Sequence, residues 1–440
     1  MEYAKAMAKT ASREHARNRL GRSIRLTAAP TKRESKSMNR NLAAAKAAKQ
    51  DEFYTQYVDI QKEVEAYLEF DPDTFRGKVV YCNCDDPFES NFFKYFAANF
   101  NKLRLKKLVT TSYDGSPIAG AQLTFGEYDE GNGKRQKPKA IAIEIEEVKD
   151  VNGDGATGIE DVKFFLKQNP HSRTSLAGGG DFRSAECVEL LKQADIVVTN
   201  PPFSLFKEHV AQLVEHGKKF LIIANKNAIT YLEIFPLIKD NKLWMGVTPM
   251  GADMLFDLPP KVAKAMLESG KKGSNYRIVN GKVMGRSTSA WFTNLDHGRR
   301  HQRLECMTMA DNLRFSKHKE IKGKAAYDRY YNFDAIDVPF SDAIPSDYDE
   351  VMGVPISFLD KYNPDQFEIV GNSDDGDMMS EIGVRPLGHE FISMYRARGG
   401  TGHYSPGMRM LGLLEPQPRV IFKRILIRRR RARPAKGNKK

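Results

Sequence analysis

The sequence predicts an α/β protein built around a doubly wound, mostly parallel sheet. Short runs such as VVYC at 79–82 and FLIIA at 220–224 are apolar or aromatic at every position rather than at alternate ones. Continuous runs of this kind are typical of strands buried on both faces. Amphipathic helical patterns separate these runs, and such alternation is typical of parallel strands joined by crossover helices.

The predicted elements follow one another regularly after Tyr57, where the helical spacing of apolar residues begins. The predicted strands are 77–86, 105–114, 139–148, 195–199 and 219–225. The predicted helices lie within 87–100, 160–168, 185–194, 204–217 and 227–240. Apolar stretches at 242–248 and 288–295 predict further strands at one side of the sheet. From about residue 300 the pattern is less regular, and no internal repeat is detected.

The composition is that of a globular protein, with 41% hydrophobic residues in a chain of 440. The four cysteines, Cys82, Cys84, Cys187 and Cys306, are too few for a disulfide scaffold, and we interpret them as reduced core residues. No stretch reaches the roughly 18 apolar residues of a membrane span. The N-terminus also lacks an apolar signal segment. We therefore expect a cytoplasmic protein without a membrane partner.

The net charge of +13 is concentrated at the two ends of the chain. Residues 1–50 carry +10 and residues 419–440 carry +11, which leaves −8 for the remainder. We predict a basic, disordered tail over 1–50 and a domain over 51–300, with an insertion at about 115–178. A separate functional region follows over 301–427, and 428–440 form a second basic tail. Apolar residues alternate with cations from residue 419, which predicts an ordered strand before that tail.

The strand at 195–199 runs into Asn200, Pro201, Pro202 and Phe203, four residues that we call the corner. Proline donates no backbone N–H and fixes φ, so the strand must stop here. In open α/β sheets, ligands bind beyond the carboxyl ends of the strands. The corner is therefore predicted to lie at a binding site.

The chemistry of the corner suits the methylation of a planar amine. The exocyclic nitrogen of adenine is a poor nucleophile because its lone pair is delocalised into the ring. The Asn200 side-chain oxygen and the Pro201 carbonyl can each accept one of its two hydrogens, which frees the lone pair. The prolines make the carbonyl position stiff, and Phe203 can stack on the base.

A simple turn is the alternative interpretation of the corner, because Asn and Pro are both turn formers. The surrounding sequence favours a functional role. The corner follows a buried strand and precedes a helix, and a glycine-rich loop with an acid, Gly180-Asp181-Phe182, lies at the preceding junction.

Three stretches besides the one that contains the corner carry a family signal. They are DEFYTQ, KVVYCNCDDPFESNFFKYF and WFTNL, and the corner lies within GDFRSAECVELLKQADIVVTNPPFSLFKEHV. Together they resemble the EcoRI-type family of adenine-specific DNA methyltransferases over roughly 51–430. The resemblance implies a Rossmann-like methyltransferase sheet, with Asn200, Pro201, Pro202 and Phe203 as the catalytic residues. It implies methyl transfer from S-adenosyl-L-methionine to N6 of adenine in a specific double-stranded DNA sequence, as in restriction–modification or phage DNA protection.

The resemblance also implies which residues bind the donor. Asp181 and Phe182 resemble the motif that holds the adenine ring of S-adenosylmethionine. Phe53, Tyr54 and Thr55 resemble the segment that closes over its methionine part. Asp85, Asp86 and Ser90 occupy the donor loop after the first strand, where this chain has no Gly-x-Gly, and either aspartate could instead cap the next helix. Asp114 is a candidate ribose ligand or a turn residue.

Two further inferences concern the target base. Methylation of cytosine C5 requires a nucleophilic cysteine, typically presented after a proline, and none of the four cysteines follows a proline. A stacked adenine cannot reach the donor, so base flipping is implied. Trp291 and Phe292 are interpreted as core residues, with a place in the pocket for the extruded base as the alternative.

The segment DVNGDGATGIED at 150–161 places oxygen ligands at Asp150, Asn152, Asp154 and Asp161, with Gly155 at the turn. This spacing resembles a calcium loop, although Thr157 stands where an aliphatic residue is usual. Helix capping is the alternative explanation, and we assign no metal ligand.

Double-stranded DNA is the expected partner, and we expect a monomer. An RNA adenine or protein glutamine methyltransferase with the same corner is the alternative, and a non-enzymatic DNA-binding protein with two basic arms is a third hypothesis. The sequence does not reveal the DNA recognition site, because base readout depends on the placement of a few side chains.

Overall fold

The computed structural model describes residues 55–84, 90–112, 140–150, 159–169, 173–252, 254–258, 260–268, 276–421 and 423–430. The chain divides into two compact units. The first comprises 1–62, 75–224 and 253–289, and the second comprises 63–74, 225–252 and 290–440. The predicted division into functional regions stays a prediction, because these units are defined by compactness alone.

The strands are β1 (Val79–Cys82), β2 (Lys107–Thr111), β3 (Ile141–Ile145), β4 (Arg173–Ser175), β5 (Ile196–Thr199), β6 (Lys219–Asn225), β7 (Trp244–Met245), β8 (Met254–Asp257), β9 (Tyr276–Val279), β10 (Lys282–Ser287), β11 (Ser289–Thr293), β12 (Ile336–Asp337), β13 (Met352–Pro355), β14 (Phe367–Asn372), β15 (Leu411–Leu413), β16 (Arg419–Ile421) and β17 (Arg424–Arg429). The α-helices are α1 (Tyr57–Phe70), α2 (Asn91–Ala98), α3 (Ile159–Gln168), α4 (Ala185–Gln193), α5 (Phe206–Glu215), α6 (Phe235–Lys239), α7 (Pro260–Glu268), α8 (Met309–Phe315), α9 (Gly376–Glu381) and α10 (His389–Ala397).

The main sheet of the first unit has the strand order β4-β3-β2-β1-β5-β6. The central pairs β2–β1, β1–β5 and β5–β6 are parallel, whereas β3 and β4 add antiparallel strands at one side. All four residues of β1 and of β5 are buried, as their continuous apolar runs predict. The structure is therefore a mixed α/β fold with a large, mostly parallel sheet, which confirms the fold class at this level.

A second sheet of the first unit, with the order β8-β10-β9, was not predicted. Its hairpin turn is formed by Asn280 and Gly281, both at positive φ. An Asn-Gly pair is a strong signal for a tight hairpin, because both residues tolerate this conformation. The ring of Phe256 packs so closely over Gly285 that a Cβ there would lie 2.4 Å from it.

The second unit holds a four-stranded sheet with the order β12-β13-β17-β14 and a two-stranded sheet of β15 and β16. The basic C-terminal run supplies β17, and its Ile425, Leu426 and Ile427 are fully buried. The predicted ordered strand is thus confirmed, and it is an inner strand of its sheet. The antiparallel pair of β7 and β11 also belongs to the elements predicted from the sequence.

The segment 227–240 differs from its predicted helix. A 3₁₀ helix at Lys226–Thr230 and the short helix α6 replace it. Pro236 lies in the first turn of α6, where its missing N–H costs nothing, but a helix running through it would lose a hydrogen bond.

Two buried carboxylates hold the segment 246–250 of the second unit. Glu63, with no exposed surface, accepts hydrogen bonds from the backbone N–H of Val247 and of Thr248, each at 2.7 Å, and from the Thr248 hydroxyl at 2.6 Å. Both oxygens of Asp360 lie 3.0 Å from the N–H of Met250. Burial raises the pKa of both carboxyl groups.

Trp291 and Phe292 are fully buried, as their core interpretation predicts. Within the residues that the structure describes, no helix is both long and apolar enough to cross a membrane.

Candidate active site

The corner lies at the carboxyl end of β5, between that strand and a 3₁₀ helix at Phe203–Leu205 that leads into α5. Asn200, Pro202 and Phe203 are partly exposed, whereas Pro201 is buried. The predicted sequence of strand, rigid corner and helix is confirmed. The corner therefore holds an amide, whose side-chain oxygen is buried, and an aromatic ring on a fixed backbone at the edge of the sheet.

A cleft of about 310 Å³, counting space open to solvent, lies at the corner in the first unit. Residues from five places in the chain line the cleft: Thr55 and Asp59, the corner residues Asn200 and Phe203, Ile223 of β6, Met254, Leu255 and Phe256 of β8, and Ser287 with Ser289. The structure thus brings together the corner and Thr55, two of the regions predicted from the sequence.

The remaining wall of the cleft comes from β8, β10 and the first residue of β11. Met254 and Phe256 are buried and provide apolar surface. The hydroxyl oxygens of Ser287 and Ser289 lie 2.6 Å apart and share a hydrogen bond. The sequence reasoning missed this wall, and the Asn280-Gly281 turn is the signal that could have found its hairpin.

Asp59 is the one carboxylate among the lining residues, and sequence reasoning missed it as well. It lies in the first turn of α1, four residues after Thr55. Burial raises its pKa, an effect that Lys62 partly offsets. A carboxyl group with a perturbed pKa in a cleft is a candidate for a functional role.

The glycine-rich loop before α4 places Asp181 beside Arg183. The Arg183 side chain donates hydrogen bonds to the two carboxylate oxygens, at 3.0 and 2.7 Å, and a further bond of 2.8 Å to Glu208. This pairing lowers the pKa of Asp181, so its carboxylate stays ionised. Oδ1 also accepts a hydrogen bond from the Arg183 backbone N–H at 2.9 Å, whereas Oδ2 keeps a second lone pair with which Asp181 can accept a hydrogen bond from a ligand.

A buried hydrogen-bonded cluster lies beneath this loop and the corner. His209 of α5 has no exposed surface, its Nε2 lies 3.1 Å from the Asn83 side chain, and its ring contacts Phe182 edge-on at 5.0 Å. The hydroxyl of Thr199, immediately before the corner, donates to the Asn83 carbonyl. The cluster links the ends of β1 and β5 to the segment that contains Asp181.

Burial lowers the pKa of His209 from 6.5 to about 3, so the native state keeps the ring neutral. The unfolded chain binds a proton below about pH 6.5, and the native state does so only near pH 3. The unfolding free energy should therefore fall with decreasing pH in this window, by about 1.4 kcal/mol per pH unit. We expect His209→Gln to remove that contribution when urea unfolding is measured at pH 7.5, 6, 5 and 4.5.

Burial also lowers the pKa of His297, to about 4, so His297 adds a second pH-dependent contribution to the unfolding free energy. The His209→Gln variant should therefore keep part of the pH dependence. His297→Gln is the matched control, because it should reduce the slope without touching the cluster at the corner. An unchanged pH dependence in His209→Gln would show that the unfolded state, and not the burial of this ring, sets the acid sensitivity.

The other predicted site residues divide into two groups. Ser90 caps α2, and its hydroxyl oxygen accepts hydrogen bonds from Phe92 N–H at 3.1 Å and Phe93 N–H at 3.4 Å. Phe53, Tyr54, Asp85, Asp86 and Asp114 lie outside the described residues, as do Asn152 and Asp154 of the possible calcium loop. For these residues the predictions stand as made.

The chain is similar to known proteins over most of its length. Residues 41–430 match the family described as "Adenine-specific methyltransferase EcoRI". The type II methyltransferase M.EcoRI of Escherichia coli is 41% identical over 338 residues, which cover 76% of this chain and 89% of the relative. The type II methyltransferase M.MpnI of Mycoplasma pneumoniae is 36% identical over 328 residues, covering 74% and 83%. No solved structure matches the chain.

Proposed function

The chain belongs to the EcoRI family of adenine-specific methyltransferases and is a site-specific DNA-adenine methyltransferase, and from this premise we propose that the corner is its catalytic motif. The observation that carries the proposal is the place of the corner in the sheet. β2 lies on one side of β1 and β5 on the other, so the chain reverses its direction of winding between β1 and β5. Open α/β sheets bind ligands at such a switch point, beyond the carboxyl ends of the strands. Asn83 and Asn200 follow these two strands.

The corner orients the target amine. The side-chain oxygen of Asn200 and the carbonyl of Pro201 accept the two hydrogens of adenine N6, and the lone pair on the nitrogen is thereby freed. Phe203 stacks on the base, and the fixed φ angles of the prolines keep both acceptors in place. Held in this way, the nitrogen is set for direct in-line attack on a methyl group.

The methylated nitrogen must lose one proton to return to neutrality. Asp59 suits this step, because a carboxylate whose pKa is raised by burial is a better proton acceptor than an ordinary one. Asn200 cannot perform it, since a carboxamide does not titrate. The bond between N6 and hydrogen breaks, and its electron pair stays on the nitrogen.

S-adenosyl-L-methionine supplies an electrophilic methyl group on a sulfonium cation, and the chemistry of the described residues fits it. The Asp181 carboxylate, 42% exposed, is accessible to the donor's adenine amino group. Phe182, the next residue, is buried. Thr55 lines the cleft, and we assign the methionine part of the donor to this side of it. Phe53, Tyr54, Asp85 and Asp86 complete the proposed donor site. With this donor site, we assign the sheet to the Rossmann-like methyltransferase type.

Recognition of the DNA sequence is assigned to the region after residue 300. It supplies a sheet and several loops beyond what the catalytic sheet needs, and base contacts require such added elements. The 428–440 segment adds cations that can contact phosphates.

The test combines an acceptor assay with a donor-binding measurement. Labelled S-adenosylmethionine is offered with duplex DNA, RNA or protein extract, and label is expected at adenine N6 of duplex DNA. Asp181→Ala is expected to weaken donor binding by roughly 10-fold or more in calorimetry, because a charge-assisted hydrogen bond is lost. Glu189→Ala, an exposed acid on α4, is the matched control.

Label in RNA or protein and not in DNA would overturn the assignment of the acceptor. Unchanged donor affinity in Asp181→Ala would remove that residue from the donor site while leaving the acceptor assignment intact. Sequencing of DNA from cells that express the protein identifies the modified adenines and the recognition sequence in the same experiment.

A further inference from the structure

Phe315 is the most exposed large hydrophobic residue among those that the structure describes, with 58% of its surface accessible. It ends α8 in the second unit. A single exposed apolar side chain is ordinary on a protein surface and needs an additional reason to be noticed. Here the reason is its surroundings, which are both basic and rigid.

Cations surround Phe315 along the chain. Residues 314–322 contain Arg314, Lys317, Lys319 and Lys322 against one acid, Glu320. Lys317 is paired with Asp342 at 2.8 Å. The exposed Arg314, Lys319 and Lys322 make no ion pair within the described part of the chain, and the Arg314 guanidinium lies 4.9 Å from the centre of the Phe315 ring.

The backbone is fixed on the N-terminal side of Phe315. Asn312 is fully buried, and its amide donates to the carbonyls of Met307 at 3.4 Å and Thr308 at 3.1 Å. Ser316, four residues after Asn312, is buried as well. Because residues four apart share a helix face, the inward positions 312 and 316 direct Arg314 outward, and Phe315 lies at the edge of the buried face, where it is exposed.

The backbone is equally fixed on the C-terminal side. The His318 ring stacks on Phe340 with centres 3.7 Å apart, and its Nε2 lies 2.8 Å from Asp342. Ile321 is buried, and the N–H of Gly323, at a positive φ, donates to the Leu313 carbonyl at 2.8 Å. The exposure of Phe315 is thus imposed by the fold on both sides.

We propose that residues 314–322 form a surface that binds duplex DNA, with Arg314, Lys319 and Lys322 on phosphates and Phe315 against an opened base step. Cations arranged around a rigid aromatic side chain match the two features of a distorted duplex, its phosphates and its exposed base faces. Opening the duplex costs a few kcal/mol when a base is extruded, and an inserted apolar side chain offsets part of that cost. The inference rests on the DNA activity given above and names the surface that serves it.

The first experiment measures equilibrium binding to a short duplex carrying the recognition sequence, by fluorescence anisotropy over a series of salt concentrations. Phe315→Ala should bind roughly 10- to 100-fold more weakly with an unchanged salt slope, since stacking does not release counterions. Phe315→Trp should retain most of the affinity. The triple variant R314A/K319A/K322A should reduce the slope of log K against log salt by about 3, at about 0.9 per phosphate contact.

Two control variants match these changes elsewhere. Phe164→Ala removes another exposed phenylalanine, on α3. The double variant K102A/K106A removes exposed cations that precede β2, at the edge of the sheet opposite the corner. Both should bind DNA as the wild type does.

The second experiment uses a duplex with a mismatch at the target adenine, which is already open. The defect of Phe315→Ala should shrink on this duplex, because less unstacking remains to be offset. An equal defect on both duplexes would overturn the insertion of the ring. Wild-type affinity and salt slope in both the Phe315 and the triple variant, from an enzyme that still methylates DNA, would overturn the surface while the DNA activity stands.

Discussion

Replacing Asn200 by alanine is expected to lower the single-turnover rate of methyl transfer by at least about 10³-fold. The variant loses one of the two acceptors that free the N6 lone pair, and that interaction matters most as the nitrogen attacks. Binding of S-adenosylmethionine should stay within severalfold of the wild type, because Asn200 is assigned to the acceptor and not to the donor. The rate is measured with labelled donor at saturating duplex DNA, and donor affinity by calorimetry.

Ser204→Ala is the matched control for this prediction. Ser204 follows the corner directly and is exposed, so its substitution should leave the rate close to that of the wild type. Methylation by Asn200→Ala at the wild-type rate would show that the carboxamide is a turn former and nothing more. A loss of donor binding as large as the loss of rate would move Asn200 from the acceptor to the donor site.

The second large effect concerns stability. Glu63→Ala should lower the free energy of unfolding by about 3–5 kcal/mol, because the N–H groups of Val247 and Thr248 and the Thr248 hydroxyl lose a buried acceptor. Because Glu63 has no exposed surface, water does not easily replace the carboxylate as the acceptor of these hydrogen bonds. Urea unfolding followed by circular dichroism gives the free energy.

Two variants sharpen this measurement. Glu69→Ala changes an exposed acid on the same helix and should alter stability by less than about 0.5 kcal/mol. Glu63→Gln keeps one acceptor oxygen but turns an NH₂ group toward backbone donors, so an intermediate loss is expected. If Glu63→Ala and Glu69→Ala unfolded at the same urea concentration, the three hydrogen bonds would contribute nothing net.

The parallel centre of the sheet and the corner could be predicted because their signals are local. A run such as IVVT at 196–199 is apolar at every position, and the prolines mark its end without reference to the rest of the chain. The family resemblance added the donor residues, of which Thr55 lies in the cleft with Asn200.

The rest of the site depends on contacts between distant segments, which a single sequence does not display. In the sequence, nothing distinguishes Asp59 from an ordinary acid in the first turn of a helix. Only the fold places it in a cleft with Asn200, which lies 141 positions further along the chain. Ser287 and Ser289 likewise become cleft residues through the pairing of β8 with β10. The antiparallel direction of β3 could not be predicted either, because an alternating pattern of apolar residues indicates which face of a strand is buried and not the direction in which the strand runs.

The chain alternates between its two units through six successive segments. Exchanging the proposed recognition region between relatives therefore requires more than transferring a C-terminal segment. A fragment that stops at residue 289 would lack Trp291, whose carbonyl accepts a hydrogen bond from the Gly246 N–H at 2.9 Å. It would also lack His297, whose ring contacts the ring of Tyr67. Hybrid enzymes built to test that proposal would need to carry 63–74 and 225–252 along with everything after 290.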